Sequence, residues 1–201
     1  MGWLGNIAQV VLRGLVASGV LDRLSLPMLR LMAQQGRMPA LAAAALPRVV
    51  IVGEGGVGKS TILKQLLASA GRSGRVPVWV PLVSLPDEGP LTIASLVDHL
   101  VRQAQSVLGQ EDVNAAFFES AARDGRLTIG FDALDECGPL VRRQRTRGLI
   151  AEVAREWKRC QVFVTSRPEA LRETPLPLLA PDKLLEDEAG VEFLAFEPVP
   201  F

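Results

Sequence analysis

Histidine occurs once in these 201 residues, at His99, and cysteine twice, at Cys137 and Cys160. No motif surrounds the lone histidine to make it a general base, so a surface or core role is expected. Two isolated cysteines neither build a disulfide framework nor match zinc-site spacing; they read as small buried hydrophobes in a reducing compartment. Charge of either sign is not in excess: 22 Lys and Arg balance 22 Asp and Glu. That balance removes the general electrostatic signal of a nucleic-acid or anionic-membrane partner. No apolar run is long enough to span a bilayer; the longest near the start, Ile7–Leu21, is interrupted by Arg13. Met1–Gly5 has no basic n-region, and Asn6 stands where a myristoylation signal after Gly2 needs Ser or Thr. A cytoplasmic setting is expected.

What is present is enough apolar material, 48% of the chain, for one real core. Residues 1–46 read as a helical extension. Ile7, Val10, Val11, Gly14 and Leu15 recur at helical spacing. Pro27 suits the first turn of a second helix, Met28–Gln35, which Gly36 stops, and a third short helix spans Ala40–Leu46 before Pro47. From residue 47 strands and helices alternate. Strands are expected at Arg48–Val52, Val76–Leu82, Leu127–Phe131, Gln161–Thr165 and Val191–Phe196. Helices are expected from Lys59 to about Ala70, at Thr92–Leu108, at Asp112–Arg123 with Asp112 as N-cap, and at Leu140–Arg159. Such alternation predicts a parallel sheet covered on both faces.

Three segments carry chemistry. The first strand runs into Gly53-Glu54-Gly55-Gly56-Val57-Gly58-Lys59-Ser60, the G-x-x-x-x-G-K-[ST] phosphate-binding loop between a strand and a helix. Polyphosphate is densely anionic, and backbone N–H groups turn inward around it only where bulky Cβ atoms are absent. The helix beginning at Lys59 adds its N-terminal dipole. Lys59 is expected on the β- and γ-phosphates, the Ser60 hydroxyl on Mg²⁺, and Thr61 near the α-phosphate. Leu127–Phe131 then delivers Asp132 beside that loop, where a carboxylate holds Mg²⁺, usually through its water shell. Asp135 and Glu136 follow on the same rim and suit orienting a water toward the γ-phosphate; a helix-start cap is the plain alternative. Finally, Val162-Phe-Val-Thr165-Ser166-Arg167-Pro168 brings a cation to the same end of the sheet, suited to sensing a γ-phosphate.

Together these motifs resemble the NACHT group of STAND NTPases. Gly53–Thr61 looks like its Walker A. Asp132-Ala-Leu-Asp-Glu136, with a tiny residue after the metal aspartate and two further acids, resembles its Walker B. Thr165-Ser-Arg-Pro168 resembles its sensor 1, and Val76–Leu82 its second strand. The resemblance implies a three-layer P-loop NTPase fold with a five-stranded parallel sheet of order 5-1-4-3-2 over residues 47–201. It also implies a switch, ADP-bound at rest and ATP-bound when signalling, that self-associates on activation, often in immunity or defence. In that family a helical and a winged-helix domain follow the NTPase core; this chain ends at Phe201 after the fifth strand, and a fragment of a longer protein is expected.

The expected activity is slow, regulatory hydrolysis of ATP, with Lys59, Asp132, Asp135, Glu136 and Arg167 carrying it. The alternatives are a non-hydrolysing nucleotide-binding module that recruits partners and, less favoured, a small-molecule kinase. The absence of an N/T-K-x-D guanine motif leans toward adenine. Arg142, Arg143, Arg145 and Arg147 are expected to form a solvated helix face, though they also suit a finger for a neighbouring subunit or a nucleic-acid contact. Trp79 is expected in core packing because it lies in a strand read as buried.

Overall fold

Arg48–Val52 (β1) is buried at every residue, as an apolar β-branched run is when both faces of a parallel sheet are covered. The remaining strands are Val76–Pro81 (β2), Leu127–Asp132 (β3), Gln161–Ser166 (β4) and Leu194–Phe196 (β5). All pairings are parallel, in the order β2-β3-β4-β1-β5. The computed structural model describes residues 40–109, 113–177 and 194–196. Four strands therefore run in the order 1-4-3-2 expected of a P-loop core. The fifth is described over Leu194–Phe196 beside β1, and positions 191–193 of the expected strand lie outside the described residues.

Helices Lys59–Arg72 (α1), Ile93–Leu108 (α2), Ala115–Arg123 (α3), Leu140–Glu156 (α4) and Pro168–Glu173 (α5) connect or flank the strands. Strand alternation sorts the core into two layers. Val50, Val78, Val80, Ile129, Phe131, Val162 and Val164 pack with Leu96, Leu100, Phe118, Leu149, Ile150 and Val153 of α2, α3 and α4. The opposite face of the sheet meets α1: a Cβ placed on Gly130 would lie 2.8 Å from Leu63 Cδ1 and 2.9 Å from Leu67 Cδ1. The glycine in the middle of β3 is what lets α1 lie this close.

Local caps explain several boundaries. Thr92 caps α2 in a reciprocal box with Ser95. Asn114, rather than Asp112, caps α3 by accepting from the Phe117 N–H, so that helix starts later than expected; Asp112 lies outside the described residues. Helix α4 ends at Glu156, short of Arg159, because the Trp157–Arg159 turn leads into β4. The expected third helix of the extension is a 3-10 segment, Ala40–Ala45. The two earlier helices of the extension lie outside the described residues. Among the described residues no helix is long and apolar enough to cross a membrane.

Candidate functional site

The parallel order brings three strand ends to one rim. β1 leads into the glycine loop, and β4, inserted between β1 and β3, sits at the centre. Gly53 N–H donates to the Ser166 carbonyl at 3.3 Å, tying the loop's first residue to the end of β4. Gly56 and Gly58 take φ of 81° and 86°, left-handed values that a side chain disfavours. Gly58 is also the N-cap of α1 and offers no side-chain cap, so the first N–H groups of α1 are left for another acceptor. The Lys59 ammonium folds back through the loop and donates to the Gly53 carbonyl at 2.7 Å and the Glu54 carbonyl at 2.9 Å. Val57 is half-buried, while Glu54, Gly55, Gly56 and Thr61 are exposed along the same rim.

Asp132 closes β3 and is buried, 6% exposed. Its Oδ1 accepts from Ser60 Oγ at 2.9 Å and from Thr165 Oγ1 at 2.6 Å; its Oδ2 accepts from the indole Nε1–H of Trp79 at 3.1 Å. A buried carboxylate is tolerated because three donors replace its water. The next residue, Ala133, has φ of 62°, the only non-glycine with positive φ among the described residues. Its N–H donates to Thr165 Oγ1 at 2.7 Å. A β-branched residue is disfavoured there, since a left-handed backbone crowds a branched Cβ.

That turn aims Asp135 and Glu136 at Arg167. The Arg167 backbone N–H and Nε reach the two Asp135 oxygens at 3.2 and 2.9 Å, and Nη2 lies 3.8 Å from Glu136 Oε1. The Asp135 side chain is 8% exposed and that of Glu136 64%. On its other side the guanidinium overlies the glycine loop, where a Cβ on Gly55 would be 3.6 Å from Arg167 Nη2. A cleft of about 310 Å³ opens between these groups and α5, lined by Asp135, Glu136, Arg143, Arg167, Glu169 and Glu173.

The donor set fits an anionic nucleotide with Mg²⁺. The loop supplies free helix N–H groups and an ammonium for phosphate. Ser60 and Asp132 place two hard oxygens 2.9 Å apart. Mg²⁺ keeps several waters and takes few protein ligands, so one carboxylate and one hydroxyl suffice. Among the described residues no cluster of three or more His, Cys, Asp or Glu forms an alternative metal cage.

The profile of the NACHT domain matches residues 47–197. The chain belongs to the NACHT family. It therefore contains a nucleotide-binding P-loop NTPase core. Comparison with curated proteins gives no match. Among solved structures, a Walker-type ATPase of Pyrococcus abyssi is similar over 84% of this chain and 53% of that one, at 16% identity and a TM-score of 0.44. The chain thus spans about half the length of that ATPase.

Two expectations of this NACHT chain are corrected. Trp79 is not core: β2 is an edge strand, one face of it is open, and the indole is 36% exposed with its N–H on Asp132. No motif flags it, because its role depends on which strand lies beside β2. The arginine cluster is only in part a solvated face: Arg147 is exposed, whereas Arg142, Arg143 and Arg145 are half-buried and engaged. Arg142 donates to the Leu85 carbonyl at 2.6 Å and pairs with Asp87 at 2.8 Å, and Arg143 pairs with Glu173 at 2.6 Å. Arg145 donates to the Asp87 and Gly89 carbonyls, and Arg147 to that of Pro175. These side chains tie α4 to the loop after β2 and to the segment after α5. His99 stands apart from the site, 3.3 Å from Ser84 Oγ. Both cysteines are buried and free, and burial pushes both thiols up, as expected of small core residues.

Proposed function

We propose that this NACHT domain is a regulatory ATPase whose bound nucleotide and Mg²⁺ set its signalling state. The observation that carries the reading is the Ser60–Asp132 pair, a hydroxyl and a carboxylate from two different motifs brought to 2.9 Å beside the glycine loop. In this reading the loop from Gly53 to Thr61 binds the phosphates, with Lys59 on the β- and γ-phosphates. Mg²⁺ is held by Ser60 and Asp132 and supplies charge neutralisation on the phosphate oxygens. The two acids divide their work. Asp135 has both oxygens engaged by Arg167 and serves to aim that cation. Glu136, mostly exposed, keeps an oxygen free to orient and deprotonate an attacking water. Arg167 lies between the acids and the loop, where an added γ-phosphate changes its balance of partners. Cytoplasmic defence signalling through self-association is the setting that the family suggests for such a switch.

The test is titration of the chain with ATP, ADP and GTP, with and without Mg²⁺, read by calorimetry beside phosphate release. Adenine nucleotides should bind, Lys59→Ala should lose binding, and Glu136→Gln should bind ATP while releasing no phosphate. Binding without phosphate release by the unaltered chain would instead mark a non-hydrolysing module. No binding at millimolar nucleotide would end the reading.

A further inference from the structure

The Asp132 carboxylate has a third partner that the motifs do not contain. Its Oδ1 is occupied by the hydroxyls of Ser60 and Thr165. Its Oδ2 receives the Trp79 indole N–H at 3.1 Å, from the edge strand. The register explains the reach: Trp79 pairs with Gly130, and Asp132 lies two residues on, on the same face of β3. The indole therefore leans along the strand toward the rim. Its other side is held by α1, where Lys64 Nζ lies 4.4 Å from the ring centroid. Lys64 is one helical turn beyond Ser60, so the helix that supplies the hydroxyl also seats the indole.

Chemistry favours an indole here over a hydroxyl. Indole is a donor only, so it cannot turn round and compete as a metal ligand. Its N–H charges nothing itself, yet it fixes the rotation of the carboxylate plane, which two hydroxyls on a single oxygen leave less defined. Hydrogen-bond partners behind a metal-binding carboxylate orient it in this way.

We propose that Trp79 is a positioning residue for Mg²⁺–nucleotide binding, its indole N–H orienting the Asp132 carboxylate and its ring reporting the metal's arrival. This rests on the reading of Ser60 and Asp132 as the magnesium partners. Trp79→Phe keeps an aromatic ring for Lys64 and removes the N–H together with the smaller ring that carries it. The probe is ATP, titrated calorimetrically in EDTA and across a MgCl2 series, on the full chain. ATP binding in EDTA should be unchanged within about twofold, whereas the apparent Mg²⁺ affinity should fall about tenfold or more, the usual effect of losing an outer-shell partner. The second measurement needs no change at Trp79: in a Trp3→Phe, Trp157→Phe chain the sole indole should change its emission when MgCl2 joins ATP, beyond any change with ATP in EDTA. An unchanged Mg²⁺ dependence in Trp79→Phe, an equal loss with and without Mg²⁺, or a silent Trp79 overturns the proposal. Absence of any Mg²⁺ dependence in the unaltered chain overturns the magnesium reading itself, and the Trp79 role with it.

Discussion

Arg167 grips Asp135 with two groups, its backbone N–H on one carboxylate oxygen and its Nε on the other, at 3.2 and 2.9 Å. The residues come from different strand ends, so the pair locks the turn after β3 to the start of α5. Removing the cation leaves an almost buried carboxylate with the backbone N–H but without the guanidinium. Arg167→Ala should reduce the preference for ATP over ADP by about tenfold, roughly one charge-assisted hydrogen bond. The ratio of the two dissociation constants checks it; an unchanged ratio sinks the sensing role.

Thr165 serves two clients from a fully buried position. Its hydroxyl donates to Asp132 and accepts from Ala133 N–H. Thr165→Val keeps the shape but leaves the Ala133 N–H unpaired and takes one of three donors from Asp132, which keeps Ser60 and Trp79. A loss of about 1–3 kcal/mol in chemical denaturation is expected, together with weaker Mg²⁺-dependent nucleotide binding.

Gly130 sits under α1, where an added methyl would come within 2.8 Å of Leu63 and 2.9 Å of Leu67. Gly130→Ala should cost about 1–3 kcal/mol through overpacking, since both leucines are themselves buried. A neutral result in urea unfolding would show that α1 has room to shift.

Ala133 holds a left-handed backbone. Ala133→Val should destabilise by about 1–2 kcal/mol, because a β-branched side chain strains at this φ, while Ala133→Gly should fold at least as well. Equal melting temperatures for the two variants would contradict the assignment.

His99 supplies a pH test. Burial, and then the nearby Arg102 charge, hold its pKa below the ordinary value of 6.5. Between the two values the unfolded chain binds the proton more readily than the folded one. Stability contributed by His99 is therefore complete above about 6.5 and falls as pH drops toward the lowered folded value. The melting temperature of the natural chain should rise with pH over that interval, and His99→Gln should flatten the rise. Parallel curves for both chains would exclude it.

Much of this was legible in the residues. Gly53–Ser60 and Asp132–Glu136 announce a P-loop and its acids because phosphate binding demands glycines at set positions and metal binding demands a carboxylate at a strand end. β1, β3 and β4 read cleanly because central strands bury both faces. Trp79 was misread for the complementary reason: β2 lies at an edge, and single-chain periodicity does not say which strand ends up there. The contacts of the α4 arginines were not legible because their partners, such as the Leu85 and Pro175 carbonyls and the Glu173 carboxylate, lie far away in the chain. Asn114, two residues beyond the expected cap Asp112, caps α3 because its side chain reaches the Phe117 N–H, which spacing along the chain does not reveal.

The sequence by itself determined which groups are at hand: the glycine loop with its lysine, the acid that closes β3, the cation that arrives with β4. These follow from local rules, since the loop, its helix and the ends of strands are set by neighbours along the chain. Tertiary structure alone decided which of those groups meet. It placed β4 between β1 and β3, so that Thr165 reaches Asp132. It gave both Asp135 oxygens to Arg167 and left Glu136 mostly exposed, and it laid the Trp79 indole against the Asp132 carboxylate. Those are contacts between residues far apart in the chain, fixed only when sheet order and helix packing are fixed together.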